Sequence, residues 1–210
     1  MKIVLYSDNV DEYLKKDGIV DYGSKAIREL ADALSAQAGS EIGFIKAAYE
    51  FVRDNIPHSA DIGEESIPCT ASEVLKAGHG VCFAKSHLLA AILRCKSVPS
   101  GFCYQKLILQ EETEQALAYH GLNGVYIKDY KKWIRIDTGV EAQFSIEEEQ
   151  LVIPVRPEMG EADGFVVYPD PDAEILEKLR KNKTRTELWD NLPTELGYGN
   201  SSKCCMGINN

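Results

Sequence analysis

The strongest constraint on the fold is a helix that is apolar on more than one side. Two stripes of small and aliphatic side chains run along residues 81–95: Ala84, Leu88, Ala91, Ile92 and Cys95 on the first, and Cys82, Leu89 and Leu93 on the second. Since successive helical residues are about 100° apart, these stripes lie on different sides of the helix. Such a helix is buried, so the sequence predicts that the other elements pack around residues 81–95.

Helical patterns precede this segment and strand patterns follow it. Apolar spacing predicts helices over residues 22–38 and 41–55, and a capping box that starts at Thr70 predicts a short helix ending at Gly78. Aromatic and β-branched residues then predict strands at 101–109, 119–127, 133–137 and 164–168, followed by a helix at 172–181 and a polar tail after Pro193. This order predicts an α+β fold, with helices packed on an antiparallel sheet.

The length suits one domain over residues 1–210. We expect an N-terminal helical segment at 1–40, a core at about 41–144 and a C-terminal extension at 145–210. The chain contains no internal repeat and no linker long enough to divide the core.

Charge and composition narrow the function classes. The formal net charge is −10, which argues against a nucleic-acid partner, because phosphate contacts need clustered Lys and Arg. No stretch approaches the ~20 apolar residues of a membrane helix, and the N-terminus has no apolar core of a signal peptide. We therefore expect a cytoplasmic protein whose six cysteines are free thiols. Two of these, Cys204 and Cys205, are adjacent near the C-terminus, where a redox or metal role competes with an incidental one.

Cys82 follows a glycine-rich turn at the predicted start of the buried helix. Unpaired N–H groups and the helix dipole favour the thiolate there, and the N–H of Cys82 could face a developing oxyanion. Of the nearby histidines, His79 lies on the turn and is poorly placed to receive the thiol proton, although it could line a cleft. His87 lies about 140° around the helix from Cys82 and points away. The competing interpretation of Cys82 is a small core residue.

His120 is the better candidate for a base. It opens a predicted strand, and Asp137 ends the next strand. If residues 128 and 129 form a two-residue hairpin turn, His120 pairs directly with Asp137, and a carboxylate there could orient the imidazole toward a thiol. A slip of one residue would place the two side chains on opposite faces of the sheet.

The segments ASEVLKAGHGVCFAKSHLLAAILRCKSVPSGFCYQKL, HGLNGVYI and WIRIDTG resemble the transglutaminase-like superfamily, and the resemblance extends over about residues 41–144. It implies a papain-like core with Cys82 as nucleophile, His120 as base and then acid, and Asp137 as orienting residue. It also implies attack on an amide or ester carbonyl through a thioester intermediate. Many relatives carry a tyrosine where this chain has His58, which leaves the second oxyanion donor open among Gln105, Tyr104 and His58.

The expected function is a cysteine hydrolase of the peptidase or amidase type, or an acyltransferase, with a protein or peptide substrate. No cofactor, metal, nucleic acid or membrane partner is expected. Two alternatives remain open: a non-catalytic peptide-binding module that kept the fold, and a zinc-binding protein. The zinc alternative would draw on a set of histidines and cysteines: His79, Cys82, His87, and Cys69 or Cys103.

Overall fold

The structure, a computed structural model, describes residues 3–108 and 117–200. Its helices are α1 (Lys25–Ala38), α2 (Glu41–Asn55), α3 (Ala71–Ala77), α4 (Cys82–Cys95), α5 (Ala173–Lys181) and α6 (Arg185–Asp190). Its strands are β1 (Val4–Leu5), β2 (Ser100–Ile108), β3 (Leu117–Ile127), β4 (Lys132–Ile136), β5 (Ala162–Asp163) and β6 (Val166–Val167). Leu109, at the end of a predicted strand, and the Cys204–Cys205 pair lie outside the described residues.

Helix α4 is the buried centre of the molecule, as its two apolar stripes predict. Every residue from Phe83 to Arg94 is buried, and the helix contacts the helices α1, α2 and α3 as well as the strands β2 and β3. Helix α3 begins with the predicted capping box of Thr70 and Glu73. It ends at Gly78, whose φ of +75° is the left-handed conformation that a side chain would strain. This tight stop lets the chain reverse directly into α4.

The main sheet is antiparallel and has the strand order β4-β3-β2-β5. Helix α4 lies against β3 at very short range, since a Cβ built on Gly121 would lie 2.7 Å from the ring of Phe83. The side-chain amide of Asn123 donates to the carbonyl of Ser86 in α4 at 3.0 Å. The chain therefore has the predicted α+β fold, and Cys82 is the first residue of its central helix.

The predicted hairpin register is wrong by two residues. Ile127 pairs with Lys132, so the turn contains four residues, 128–131, instead of two. Lys131 adopts a φ of +48°, and its N–H donates to the carbonyl of Lys128 at 3.1 Å. Because side chains alternate along a strand, a shift of two residues leaves every side chain on its expected face. His120 and Asp137 thus share a face as expected, but Asp137 lies just beyond the end of β4 and is not paired directly with His120.

The C-terminal extension packs back on the core. Strand β6 falls within the predicted strand 164–168 and pairs with β1 in parallel, while α5 follows its predicted range with Asp172 as N-cap. Helix α6 was not expected from the sequence. The segment after Pro193, predicted as a polar tail, is in part packed, since the ring of Tyr198 stacks on Tyr168 with 4.1 Å between centroids. Among the described residues, no helix combines the length and apolarity needed to cross a membrane.

Candidate active site

The glycine-rich turn before α4 brings His58 beside Cys82. Gly80 and His58 form a parallel β-bridge, in which the N–H of Gly80 donates to the carbonyl of Pro57 at 3.3 Å. The N–H of Ser59 donates to the carbonyl of Gly80 at 3.2 Å. The N-cap residue of α4, Val81, offers no side-chain hydrogen bond to the first turn. No N-cap side chain therefore occupies the amide groups at the start of α4, where the positive end of the helix dipole favours a thiolate.

His120 and Asp137 form a hydrogen-bonded pair at the same place. The Nε2 of His120 lies 2.9 Å from Oδ2 of Asp137, which leaves Nδ1 for the thiol of Cys82. Asp137 is itself fixed, because its carboxylate accepts from the N–H of Gly139 at 3.0 Å and from that of Val152 at 3.4 Å. This arrangement orients the imidazole as a general base requires.

The environment favours the thiolate form of Cys82. Burial alone would raise the pKa of the thiol, but hydrogen bonds and charge from His120, and then from His58, outweigh it and lower the pKa from 9.0 to about 6. Cys69, Cys95 and Cys103 contrast with it, since burial raises the pKa of each of these thiols. Of the four cysteines among the described residues, only Cys82 has the low thiol pKa of a reactive cysteine.

The pKa values of His120 and Asp137 are shifted in opposite directions. Burial would lower the pKa of His120, but the charge and hydrogen bond of Asp137, together with Cys82, raise it well above 6.5. Burial would raise the pKa of Asp137, but His120 and the two backbone N–H donors lower it. At neutral pH the three groups therefore form a thiolate, an imidazolium and a carboxylate.

His58 approaches Cys82 from the other side, and its tautomer is set by the backbone. The N–H of Ala60 donates to Nδ1 of His58 at 3.2 Å, so Nδ1 acts as an acceptor and the proton of the neutral ring lies on Nε2. The side chain of His58 also hydrogen-bonds the thiol of Cys82. With Nδ1 directed at Ala60, the nitrogen available to Cys82 is Nε2, which is a donor.

A buried lysine lies close to the thiol of Cys82. Lys85, one turn after Cys82, is 2 % exposed and lines a small cavity with Cys82, His120 and Asp137. Burial lowers the pKa of its ammonium group, while the charges of Asp137, Asp61 and Cys82 raise it, with a net lowering. Lys85 was not expected in the site from the sequence, although its position three residues after Cys82 places it on the same side of α4.

Three of the proposed cleft residues lie elsewhere. His79 does contact the loop 58–69, but its ring is buried between the hydroxyls of Ser59 and Ser66, at 2.9 and 3.1 Å, and does not line the cleft. Gln105 is enclosed because β2 is an inner strand, and its Oε1 is buried with no partner among the described residues. The hydroxyl of Tyr104 accepts from the backbone of Asp172 at 2.9 Å and thereby fixes the start of α5. Of the four candidates, His58 lines the cavity beside Cys82, and the identity of the second oxyanion donor stays a prediction.

The ligands of the alternative zinc site are separated in the fold. His87 points away from Cys82 as expected, and its Nδ1 lies 2.7 Å from the carbonyl oxygen of Cys69. Burial lowers the pKa of this imidazole to about 4. Within residues 3–108 and 117–200, no three His, Cys, Asp or Glu side chains converge as metal ligands would.

A cavity of about 300 Å³ opens beside Cys82 and His120. Its other walls are almost entirely apolar: Val81, Phe83, Tyr119, Val140, Val152, Ile153, Leu188, Trp189 and Leu192. Asp61 and Glu141 add two carboxylates to its lining. A wider groove of about 650 Å³ follows the free edge of β4 between residues 131–134 and 145–149, but its lining contains no cysteine or histidine. The cavity beside Cys82 is therefore the candidate substrate site.

Helix α6, which was not expected from the sequence, supplies part of this cavity. Its anchoring depends on a carboxylate 120 residues earlier in the chain, because Arg185 donates to Glu65 at 2.7 Å. The backbone and hydroxyl of Thr186 donate to the same carboxylate, each at 3.0 Å. No local pattern in the sequence signals this contact, and α6 is only six residues long.

Comparisons with solved structures found distant similarity. A candidate cysteine protease from Cytophaga hutchinsonii is 16% identical with a TM-score of 0.47, over 63% of this chain and 42% of that chain. A candidate protease from Parabacteroides distasonis is 15% identical with a TM-score of 0.40, over 70% and 30%. The periplasmic domain of TgpA from Pseudomonas aeruginosa is 14% identical with a TM-score of 0.44, over 60% and 45%. The chain spans less than half the length of each of these proteins. No curated protein matches it.

A family model gives the clearest result. The model of the transglutaminase-like superfamily matches residues 28–138, which is just over half of the chain. This range contains Cys82, His120 and Asp137, and it ends before the C-terminal extension begins. Such a match supports a thiol-dependent enzyme at the level of the family. The chain belongs to the transglutaminase-like superfamily.

Proposed function

We propose that the protein is a cysteine hydrolase of the peptidase or amidase type, which attacks an amide or ester carbonyl through a thioester on Cys82. The observation that carries this proposal is the contact of Cys82, the first residue of α4, with His120, whose Nε2 is 2.9 Å from Asp137. We further propose a protein or peptide substrate, no nucleic-acid or membrane partner, and a cytoplasmic location, where a free thiol stays reduced.

In the acylation step, the thiolate of Cys82 attacks the carbonyl carbon and the carbonyl π electrons move to oxygen. The backbone N–H of Cys82 and the Nε2–H of His58 stabilise that oxyanion, since both groups lie beside the sulfur. The oxyanion then re-forms the carbonyl, and the C–N or C–O bond breaks. The imidazolium of His120 gives its Nδ1 proton to the departing amine or alcohol, which leaves the acyl group on Cys82.

In the deacylation step, neutral His120 takes a proton from water while the oxygen of that water attacks the thioester. The tetrahedral intermediate collapses with release of the Cys82 thiolate, and the product is a carboxylic acid. An amine in place of water would give a new amide, so acyl transfer differs only in what reaches the thioester. Asp137 remains ionised and holds Nε2 of His120 throughout.

The decisive experiment is labelling with an acyl-forming probe, followed by mass spectrometry of the acylated peptide. We expect wild type to gain one acyl group on Cys82 and the Cys82→Ala variant to gain none. Cys95→Ala is the matched control, since Cys95 is a partly buried cysteine at the other end of the same helix. A peptide library then identifies the substrate among the sequences that wild type cleaves.

His58 is tested in the same assay. We expect His58→Phe to slow acylation roughly 10²–10³-fold, which is the usual effect of losing one oxyanion donor. Unchanged acylation in this variant would remove His58 from the oxyanion site. Absence of any Cys82 acylation in wild type would refute the enzyme and favour the non-catalytic peptide-binding module.

A further inference from the structure

The cavity beside Cys82 is closed on one side by the C-terminal extension, which lies outside the family match. Residues Leu188, Trp189 and Leu192 form this side, and Leu188 is buried in the core. The three residues are held at both ends: Arg185 bonds Glu65 before them, and the N–H of Tyr119 donates to the carbonyl of Pro193 after them, at 3.3 Å. The wall is therefore a fixed part of the site in this chain.

The chemistry of the lining discriminates between substrate side chains. Apart from the reacting groups and the exposed carboxylates of Asp61 and Glu141, the walls are aliphatic and aromatic. A polar side chain lodged against the apolar walls would lose its water without a matched partner. No lysine or arginine lines the cavity among the described residues, whereas Asp61 and Glu141 do. An acidic side chain would thus meet repulsion, and a large apolar one would bury its surface against Trp189 and Leu192.

We propose that this wall, built by Trp189 and Leu192, is a binding subsite for a large aromatic or branched aliphatic side chain on the residue whose carbonyl Cys82 attacks. This inference rests on the proposed function and names its substrate class: peptides with an apolar residue at the acyl position. A volume of about 300 Å³ suits one such side chain together with the adjoining backbone.

The first experiment uses N-acetyl aminoacyl benzyl thioesters of Phe, Leu, Ala, Gln and Glu, with release of benzyl mercaptan as readout. Thioesters share one leaving group, so rate differences report the acyl side chain alone. We expect kcat/KM for Phe and Leu to exceed that for Ala by roughly 10–200-fold. Equal rates for Phe and Ala, or a preference for Gln or Glu, would overturn the subsite.

Two variants test whether Trp189 and Leu192 cause the preference for a large apolar side chain. Trp189→Ala and Leu192→Ala should each lower kcat/KM for the Phe thioester at least about tenfold more than that for the Ala thioester. Trp133→Phe, at the other tryptophan of the chain, is the matched control and should keep the preference, because the indole of Trp133 packs on Tyr13 and Tyr126 outside the cavity. Equal losses for both thioesters would contradict the proposed subsite.

A binding measurement separates failure of the subsite from failure of the chemistry. In a Trp133→Phe, Cys82→Ala background, Trp189 is the sole tryptophan, so its fluorescence reports occupancy without catalysis. N-acetyl-Phe-amide should change this emission at lower concentration than N-acetyl-Ala-amide. Selective binding without any acylation of wild type would refute the proposed enzymatic activity and support the apolar subsite. Acylation without selective binding or selective rates would refute the apolar subsite and support the proposed enzymatic activity.

Discussion

Replacing His120 by alanine should raise the pKa of the Cys82 thiol. The neighbours of Cys82 lower its pKa from 9.0 to about 6. Three pKa units correspond to about 4 kcal/mol of preferential stabilisation of the thiolate. Most of the lowering comes from His120, and burial, which acts in the opposite direction, remains after the substitution. We therefore expect the pKa of Cys82 to rise by at least about two units in His120→Ala.

The midpoint of the pH profile is a better measure than the rate at one pH. At pH 7 a thiol with a pKa near 6 is roughly 90% thiolate, compared with roughly 3% for an ordinary cysteine. A thiolate of lower pKa is also a weaker nucleophile, by roughly 10- to 20-fold over the about 2.5 pKa units between an ordinary thiol and one with a pKa near 6. The two effects nearly cancel in the rate at pH 7. The pH at which reactivity reaches half its maximum is unaffected by this cancellation.

The assay is pulsed alkylation with iodoacetamide between pH 4 and 10, with peptide mapping to follow Cys82 separately from the other cysteines. Wild type should show a midpoint near pH 6, with the reactive thiolate present above it and the protonated thiol below it. Cys95 serves as internal reference, since burial raises its thiol pKa. A wild-type midpoint at or above ~8.5, or the same midpoint in His120→Ala with an unchanged circular dichroism spectrum, would refute the proposed ion pair.

Two further predictions concern stability. Gly121→Ala should lower the free energy of unfolding in urea by about 1–3 kcal/mol, because its Cβ would lie 2.7 Å from the ring of Phe83. Gly18→Ala is the control and should have little effect, since no atom lies within 4 Å of the added Cβ. Equal stability of the two variants would contradict this packing. Burial lowers the pKa of His87 to about 4, below its value in the unfolded chain, so protonation favours unfolding as pH falls from about 6.5 to about 4. Wild type should lose up to about 3 kcal/mol more than His87→Gln over this range, and parallel pH profiles would show that His87 does not titrate in this way.

Local patterns in the sequence determined the helices around the thiol. The two apolar stripes at residues 81–95 require a buried helix, and the capping box at Thr70 and the left-handed Gly78 determine how the chain enters it. These signals involve residues within a few positions of each other, so they can be recognised without the fold. The α+β fold and the placement of Cys82 at the start of α4 follow from them.

The pairing of β3 with β4 could be predicted only in part from the sequence. Alternation of side chains placed His120 and Asp137 on one face, and this survives any even shift of register. The shift itself depends on the four-residue turn at 128–131, where Lys131 adopts a positive φ without a glycine to signal it. The hydrogen bond of 2.9 Å between His120 and Asp137 therefore depends on the path of the chain beyond β4 and on the backbone N–H groups that hold the carboxylate of Asp137.

The rest of the site was decided by tertiary structure alone. His58 acts as a donor because the N–H of Ala60 occupies its Nδ1, and Trp189 reaches the cavity because Glu65 anchors the helix that carries it. The side chains of Gln105 and Tyr104 are chemically suited to donate to an oxyanion. Gln105 is instead buried in the sheet, and the hydroxyl of Tyr104 is bonded to the backbone of Asp172. Periodicity reports which side of an element is apolar. It does not report which distant segments meet there, because those contacts depend on how the layers pack.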